Sequence, residues 1–395
     1  MEWVYFDNAA TSWLKPAVMM RAMERFNDSI GANPGRSGHR LSIDAARVLF
    51  DARERVAELL GAADPLEIVF TKNGTEALNL ALQGLLAPGD HLVTTSLEHN
   101  SVMRPLRALE RRGVELTIVP GNAAGELAPA DLIKALRKDT RAIVLTHASN
   151  VTGTLLPLSE IAGEAKARGI ALCVDAAQTA GSIPLDVQAL GVDLLAFSGH
   201  KSLLGPQGTG GLFVSREIER ELSPLLQGGT GSRSEFEEQP DFLPDKLEAG
   251  TPNTIGLAGL GASVGYLLER GVAEIRGVEQ RLTQLFLDGA RSLAGLTVHG
   301  DPDAARRTAV VSFNLAGRSP SEVAYALDQR FGILSRPGLH CAPAAHRTLG
   351  TFPQGTVRFS FGPNNTADEI ARALAALDTL CQEAQSHAAP ARVPF

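Results

Sequence analysis

The chain has 395 residues, of which 44% are hydrophobic and 21% are charged, and its formal net charge is −7. This length supports a large hydrophobic core and predicts two domains, whereas the acidic balance argues against a nucleic-acid partner. Because Cys173, Cys341 and Cys381 lie far apart in the sequence, we expect neither a disulfide framework nor a metal site. The sequence has no signal-peptide pattern and no apolar stretch of membrane-spanning length, so we expect a cytoplasmic protein without a membrane partner.

Seven short β-rich runs alternate with amphipathic segments in the first half of the chain. The runs lie at residues 67–71, 91–96, 115–120, 142–149, 170–177, 194–199 and 210–214. Strands that alternate with helices predict βαβ units and a mostly parallel sheet. The runs are almost continuously apolar, which indicates strands buried on both faces. Ligands of such sheets bind beyond the carboxyl ends of the strands, so the polar residues there are candidates for a site.

The second half of the chain has a different pattern. Residues 228–253 are rich in Gly, Pro and charge and predict a long loop with a functional or interfacial role. This loop is followed by a helical stretch at 255–295, a strand at 308–315, a helix at 319–331, a strand at 356–362 and a helix at 366–386. We therefore predict a large domain at residues 16–260 and a smaller α+β domain made of residues 1–15 and 261–395.

Lys201 directly follows the apolar run LLAFSG and its neighbour His200. Most lysines in such a position are solvated surface residues. A lysine that burial separates from water is instead a neutral amine, which can form a Schiff base with a carbonyl cofactor. The small and polar neighbours Ser198 and Gly199 favour the second interpretation.

Asp175 ends another apolar run, and Gln178 follows it three residues later. An aspartate at a strand end is often only a helix cap or a turn residue. A buried carboxylate can alternatively keep a pyridinium nitrogen protonated, which the chemistry of pyridoxal 5′-phosphate (PLP) requires. Gln178 can hydrogen-bond the phenolic oxygen of the same ring.

Three further strand ends carry polar residues. Gly74 and Thr75 form a turn that opens a helix, where free amides and a hydroxyl can bind a single phosphate. His99 can stack on a planar ring or move protons, although a lone histidine is more often structural. Asn150 follows the run at 142–149. Five consecutive βα junctions with residues suited to one phosphorylated pyridine aldehyde predict a PLP site.

The motifs YFDNAAT, GTEALNLA, EHNS, SNVTGT, VDAAQTAG, SGHKSLLGPQGTGGLFV, EAGTPN, RPGLHCAP and VRFSFG resemble those of the class V, fold-type I PLP enzymes. The likeness covers residues 4–375 and is greatest to the cysteine desulfurase and selenocysteine lyase branch. It implies an α/β fold in which helices sandwich a mostly parallel seven-stranded sheet, with a smaller α+β C-terminal domain, in a homodimer. It also implies that PLP is bound by Gly74, Thr75, His99, Asn150, Asp175, Gln178, Ser198, His200, Lys201 and the partner subunit's Thr251.

The resemblance implies further roles at the reacting centre. Lys201 forms the Schiff base, His99 stacks on the ring, and Arg358 with Asn150 binds the substrate, L-cysteine or L-selenocysteine. Cys341 takes the substrate sulfur as a persulfide and passes it to a thiol or an acceptor protein. Its Gly- and Pro-containing loop predicts an exposed thiol, and His340 or His346 can favour the thiolate.

Several alternatives remain open at this point. Selenocysteine lyase uses the same lysine, and an aminotransferase or another C–S lyase fits the same fold. A sulfur-delivery scaffold is a different class of function, for which the acidic stretch 234–241 is a candidate contact, although a solvated loop is the commoner explanation of such a stretch. The sequence does not assign a role to Arg36, His39 or Arg40.

Overall fold

A computed structural model describes residues 3–35 and 38–388; Arg36 lies outside this range. The strands are β1 Val4–Tyr5, β2 Ile68–Thr71, β3 His91–Thr95, β4 Glu115–Val119, β5 Thr140–Thr146, β6 Ala171–Asp175, β7 Leu194–Ser198, β8 Gly210–Val214, β9 Leu296–His299, β10 Val310–Leu315, β11 Ile333–Leu334, β12 Arg336–Gly338 and β13 Thr356–Ser360. The α-helices are α1 Ala17–Ser29, α2 Arg40–Leu60, α3 Gly74–Leu85, α4 Asn100–Glu110, α5 Pro129–Ala135, α6 Leu158–Arg168, α7 Val187–Leu190, α8 Thr254–Arg270, α9 Val272–Ala290, α10 Pro320–Phe331, α11 Pro343–Thr348 and α12 Ala367–Ala388.

The main sheet has seven strands in the order β2-β8-β7-β6-β5-β3-β4, which confirms the predicted mostly parallel sheet. Only β8 runs against the other strands. The reason is the connection at residues 199–209, which contains no helix and is too short for a parallel crossover. Helices cover both faces, with α2, α5, α6 and α8 packed on one side and α3 and α4 on the other. The strands are therefore buried on both sides, as their apolar sequences predict.

A second, antiparallel sheet has the order β12-β13-β10-β9 and packs against α9, α10 and α12. The helical stretch predicted at 255–295 is two helices, because Gly271 ends α8 with a φ of 85°. The proposed domain boundary at residue 260 lies inside α8, and Leu267 and Ile275 still pack in the core of the main sheet. The division into domains stays a prediction.

The N-terminal segment connects the two sheets. Strand β1 pairs in parallel with β11, beside the smaller sheet. A few residues later, the backbone NH of Ser12 and Nζ of Lys15 donate hydrogen bonds to the carbonyl oxygen of His200, at 3.0 and 2.8 Å. The segment thus spans from the small sheet to the end of β7.

His39 precedes α2 as its N-cap, and its ring accepts a hydrogen bond from the backbone NH of Ser42 at 3.3 Å. His39 and Arg40 are both exposed, which supports a structural start of a solvated helix. Within residues 3–35 and 38–388, no helix combines the length and apolar character needed to cross a bilayer.

Candidate active site

A cavity of about 210 Å³ lies beyond the carboxyl ends of the main-sheet strands. Nine residues predicted from the sequence line it: Gly74, Thr75, His99, Asn150, Gln178, Ser198, His200, Lys201 and Arg358. Five lining residues were not predicted: Ala9, Ala10, Asn73, Arg336 and His340. Three predicted residues, Asp175, Cys341 and Thr251, do not line this cavity. The residues that follow the strands therefore meet at one edge of the sheet, as the parallel topology predicts.

Lys201 lies just beyond β7, with its side chain deep among the lining residues. Burial lowers the pKa of its amine to about 8, while the nearby Asp175 opposes this change. The charges of Arg358 and Arg336 lower the pKa of Lys201 further. A substantial fraction of the amine is therefore neutral near pH 8, which is the form that attacks a carbonyl carbon.

Asp175 ends β6 and is only 4% exposed. One of its oxygens, Oδ1, accepts a hydrogen bond from the backbone NH of Ala177 at 2.9 Å. Burial raises the pKa of the carboxyl, and the charge of Lys201 counteracts this effect. The residue thus places a buried carboxyl beside the amine, as predicted.

Glu98 is a buried acid that the sequence analysis did not identify. Its carboxyl accepts hydrogen bonds from Oγ1 of Thr95 at 2.6 Å and from the backbone NH of Thr146 at 2.9 Å. Burial raises its pKa to about 8, and the charge of Asp175 contributes in the same direction. The side chain is fully enclosed although it stands between strand β3 and helix α4, where a glutamate usually faces solvent.

His99 caps the start of α4 with its ring. Nδ1 accepts a hydrogen bond from the backbone NH of Ser101 at 3.0 Å and lies 2.7 Å from Oγ of the same residue. Burial lowers the pKa of His99 to about 3, with a further contribution from Lys201. The ring is therefore neutral with its proton assigned to Nε2, which suits contact with the face of a planar cofactor.

The start of α3 lies at this cavity, where the sequence predicts a phosphate seat. The helix begins at Gly74, one residue earlier than Thr75, because Asn73 is the N-cap and accepts from the backbone NH of Glu76 at 2.9 Å. The backbone NH of Gly74 lies 3.3 Å from Oγ of Ser198, and a Cβ at Gly74 would come within 2.9 Å of that oxygen. A side chain at position 74 would therefore require Oγ of Ser198 to move.

His200 and Gln178 complete this side of the cavity. Nδ1 of His200 is buried and has no hydrogen-bond partner among the described residues. Nε2 of Gln178 donates to the carbonyl oxygen of Ala9 at 3.1 Å, which connects the N-terminal segment to the cavity. An unpartnered ring nitrogen beside the first amides of α3 is suited to an anion such as phosphate.

Two arginines face each other across neighbouring strands. Arg336 of β12 pairs in register with Arg358 of β13, and both line the cavity. Arg358 is 1% exposed, donates to Oδ1 of Asp7 at 2.9 Å and to the carbonyl oxygen of Asn150 at 3.1 Å, and leaves Nε without a partner among the described residues. Like charges directly opposite each other destabilise a sheet, so this pair indicates a site built for an anion.

Cys341 lies in a tight loop, residues 339–342, between β12 and α11. His340 and Cys341 have φ values of 47° and 58°, a left-handed conformation that is strained for both residues. The loop is fixed by a hydrogen bond from the backbone NH of Asn100 to the Cys341 carbonyl oxygen at 2.8 Å, and by one from Nδ2 of Asn150 to the His340 carbonyl oxygen at 2.7 Å. The thiol itself is exposed, as predicted.

The expectation that His340 or His346 favours the thiolate is wrong. Burial lowers the pKa of His340 to about 2 and that of His346 to about 4, so both rings are neutral. The cation next to the thiol is Arg336, whose Nη2 lies 3.8 Å from Sγ of Cys341. The Gly and Pro residues around His340 predict an exposed side chain. The structure instead buries this histidine, and its Nε2 contacts Oγ1 of Thr356.

Comparison with known proteins places this arrangement in a family. The model of the aminotransferase class-V family matches residues 4–373. The chain belongs to the aminotransferase class-V family. A probable cysteine desulfurase of Methanothermobacter thermautotrophicus is 38% identical over 372 residues, covering 93% of this chain and 92% of that protein. A cysteine desulfurase of Yersinia pseudotuberculosis is 35% identical over 387 residues, covering 95% and 93% of the two chains.

Solved structures agree with these relatives. The apo structure of the cysteine desulfurase from Thermococcus onnurineus NA1 has a TM-score of 0.91 and 36% sequence identity, and covers 96% of this class-V chain and 95% of that one. The predicted fold type and the predicted cysteine desulfurase branch are confirmed. Class-V enzymes of this kind depend on PLP, so the cofactor prediction is confirmed as well.

The residues of this class-V chain fit PLP. A buried amine at Lys201 can receive the aldehyde, and the buried carboxyl of Asp175 lies beside it. The amide of Gly74 and the unpartnered Nδ1 of His200 stand where an anionic group can bind. Thr251 is the exception, because it is exposed and lines a separate cavity of about 580 Å³.

Proposed function

We propose that this chain is a PLP-dependent cysteine desulfurase that uses Lys201 and Cys341. The supporting observation is geometric: Lys201, Arg358 and Arg336 line one cavity, next to the loop that carries Cys341. Arg336 lies in contact with the thiol on the same side. An amine to bind a carbonyl cofactor, a guanidinium to bind a carboxylate and a thiol to accept sulfur are thus assembled together.

The residues around the cavity would hold PLP from three sides. Lys201 would bind its aldehyde carbon, the carboxyl of Asp175 its pyridine nitrogen, and the neutral ring of His99 one face. Gly74, Thr75, Ser198 and His200 would bind the phosphate. When bound, PLP withdraws electrons from the α-carbon of an amino acid.

The chain's own groups account for the remaining chemistry. Arg358 binds the substrate carboxylate, with Asn150 beside it, and the neutral Lys201 amine takes the α-proton. The Cys341 thiolate, next to Arg336, attacks the substrate sulfur. The new S–S bond forms as the Cβ–Sγ bond breaks, its electron pair stays with carbon, and protonation of that carbon yields alanine. Cys341 keeps the sulfur as a persulfide for a thiol or an acceptor protein.

We propose a cytoplasmic homodimer in which Thr251 contributes to the phosphate site of the partner. Thr251 lines the 580 Å³ cavity together with Lys72 and Glu76 of the segment around α3, next to the phosphate seat. The same cavity exposes the apolar side chains of Phe50 and Leu226, which a second subunit would cover.

The test compares the holoenzyme with its Cys341→Ala variant. With dithiothreitol present to reduce the persulfide, wild type should convert L-cysteine to equal amounts of alanine and sulfide, and the variant should lose this turnover by about a hundredfold or more while keeping the absorbance of the PLP imine. Cys381→Ala removes a thiol buried in the small core and serves as the matched control. Cysteine turnover that survives Cys341→Ala would contradict the proposal. Selective survival of selenocysteine turnover would identify a selenocysteine lyase instead.

A further inference from the structure

A groove of about 390 Å³ lies outside the active-site cavity, between α4 and α11. Four of its lining residues are arginines, and the others are mainly apolar or small. The lining residues are Asn100, Met103, Arg104, Arg107, Arg111, Ile118, Pro343, Ala344 and Arg347. This concentration of positive charge is local, because the whole chain carries a net charge of −7.

The arginines form an exposed rim. Arg104, Arg107 and Arg111 follow one another at helical spacing along and just beyond α4, so they share one face. Arg347 projects from α11, where its guanidinium stacks over the ring of Phe352 at 4.4 Å. Among the described residues, the one acid that pairs with these arginines is Glu110, which binds Arg107. The net charge of the rim is therefore strongly positive.

The groove begins at the Cys341 loop. Asn100 lines the groove and donates its backbone NH to the Cys341 carbonyl oxygen. Pro343 and Ala344 line it from the other side and follow Cys341 by two and three residues. The groove therefore lies beside the loop that carries Cys341, whose thiol is exposed.

We propose that this groove docks an acidic protein segment that carries the sulfur-accepting thiol. The inference rests on the proposed function, because that function supplies the persulfide. Carboxylates of the segment pair with Arg104, Arg111 and Arg347, and an apolar side chain contacts the floor near Met103. The acceptor thiolate attacks the outer sulfur of the persulfide. A new S–S bond forms on the acceptor, the Cys341 thiolate leaves, and no external oxidant or reductant is consumed.

The acidic stretch 234–241 does not share this position. It belongs to the 228–253 loop, whose residues Thr230 and Ser232 line the 580 Å³ cavity rather than the groove. Within that stretch, Asp241 pairs with Arg233 of the same loop. The groove is therefore the better placed surface for a molecule that must reach Cys341.

The experiment uses holoenzyme loaded with L-cysteine and then desalted. The probes are two peptides with a single cysteine and one leucine, flanked by aspartates in one and by lysines in the other. Mass spectrometry follows the gain of one sulfur atom by each peptide, and the ratio of the two rates is compared among wild type, Arg111→Glu, Arg347→Glu and the control Arg112→Glu. Arg112 is exposed and adjacent to Arg111 but does not line the groove.

We expect the aspartate peptide to react about tenfold faster in wild type at low salt. The ratio should fall by about tenfold in Arg111→Glu and Arg347→Glu, remain in Arg112→Glu, and disappear at about 1 M salt, where the Debye length is about 3 Å. Equal rates for both peptides, or a ratio that neither groove variant changes, would overturn the inference.

A binding measurement distinguishes failure of this inference from failure of the proposed function. Fluorescence anisotropy of the aspartate peptide with serine in place of cysteine should detect arginine-dependent binding even without sulfur transfer. If this binding occurs and no persulfide forms on Cys341, the groove docks acidic segments and the proposed function fails. If the persulfide forms and neither peptide gains sulfur, the inference is overturned and the proposed function stands. Tighter binding of a single-stranded oligonucleotide than of the peptide would reject the protein partner.

Discussion

Nη2 of Arg336 lies 3.8 Å from Sγ of Cys341, and no other cation among the described residues is recorded in contact with that thiol. A guanidinium at this position can donate to the sulfur and attract an approaching anion. We expect Arg336→Gln to slow alkylation of Cys341 by iodoacetamide at pH 7 by about fivefold, the range of a partly exposed ion pair. Arg336→Lys should retain much of the rate because it keeps the charge.

The matched control is Arg347→Gln, which removes an arginine six residues after Cys341 that has no recorded contact with the thiol. Its alkylation rate should equal that of the wild type. Equal rates in wild type and Arg336→Gln would show that the guanidinium does not act on the sulfur.

Gly74 and Ser198 approach so closely that a Cβ at position 74 would lie 2.9 Å from Oγ of Ser198, which would have to move. Gly74→Ala should separate the start of α3 from the end of β7, lower the free energy of unfolding by about 1–3 kcal/mol and weaken PLP affinity. Gly163→Ala is the comparison, because Gly163 lies on the exposed side of α6 with no atom within 4 Å of an added Cβ. That substitution should increase stability by up to about 1 kcal/mol and leave PLP affinity unchanged. Denaturation and PLP titration measure both effects.

Lys201 makes PLP uptake dependent on pH. Burial lowers its pKa to about 8, so the rate of imine formation by the apo protein should rise as the pH passes through about 8. The same group affects stability. Between about pH 8 and its ordinary pKa of 10.5, the unfolded state binds more protons at this lysine than the folded state does, so the free energy of unfolding increases as the pH rises. Lys201→Met should lose this part of the slope.

Lys15 needs a separate check, because burial lowers its pKa to about 8 as well. Lys15→Gln keeps a donor towards the His200 carbonyl oxygen and removes the titration. The pH midpoint of imine formation should persist in this variant, as measured by absorbance. If the midpoint disappears in Lys15→Gln, the titrating group is Lys15 and not Lys201.

Glu98 should give the opposite pH dependence. Its pKa is raised from 4.5 to about 8 by burial, so its contribution to stability is fully present below 4.5 and is lost as pH rises through about 8. Glu98→Gln should flatten this decline, seen in Tm measured from pH 5 to 9. Glu279, a second buried acid with a pKa of about 8, lies in α9 and does not line the active-site cavity, so Glu279→Gln should flatten the curve without altering PLP absorbance.

The sequence permits prediction of the strand-end residues because local pattern determines them. Lys201 and Asp175 each end an apolar run bounded by small or polar residues, and parallel strands bring such ends to one edge. The chemical role of Cys341 came from the family resemblance, but the exposure of its thiol was predictable from its loop of poor helix and strand formers. These inferences need only the neighbouring residues and the general topology.

The residues that were missed depend on contacts distant in sequence. Arg336 faces Arg358 through the register of β12 and β13, and Ala9 reaches Gln178 through the path of the N-terminal segment. Neither relationship leaves a local pattern. Glu98 was missed because its partners, such as Thr146, come from another strand. The break at Gly271 was hidden because the apolar periodicity continues on both sides of it.

Strand β1 has a consequence for the order of synthesis. Val4 pairs with Ile333, and its segment continues to the His200 carbonyl through Ser12 and Lys15. Val4 and Tyr5 therefore cannot complete this pairing until β11 has been synthesised. The active-site cavity is accordingly complete only once translation has passed Arg358, which lines it together with Ala9 and Ala10.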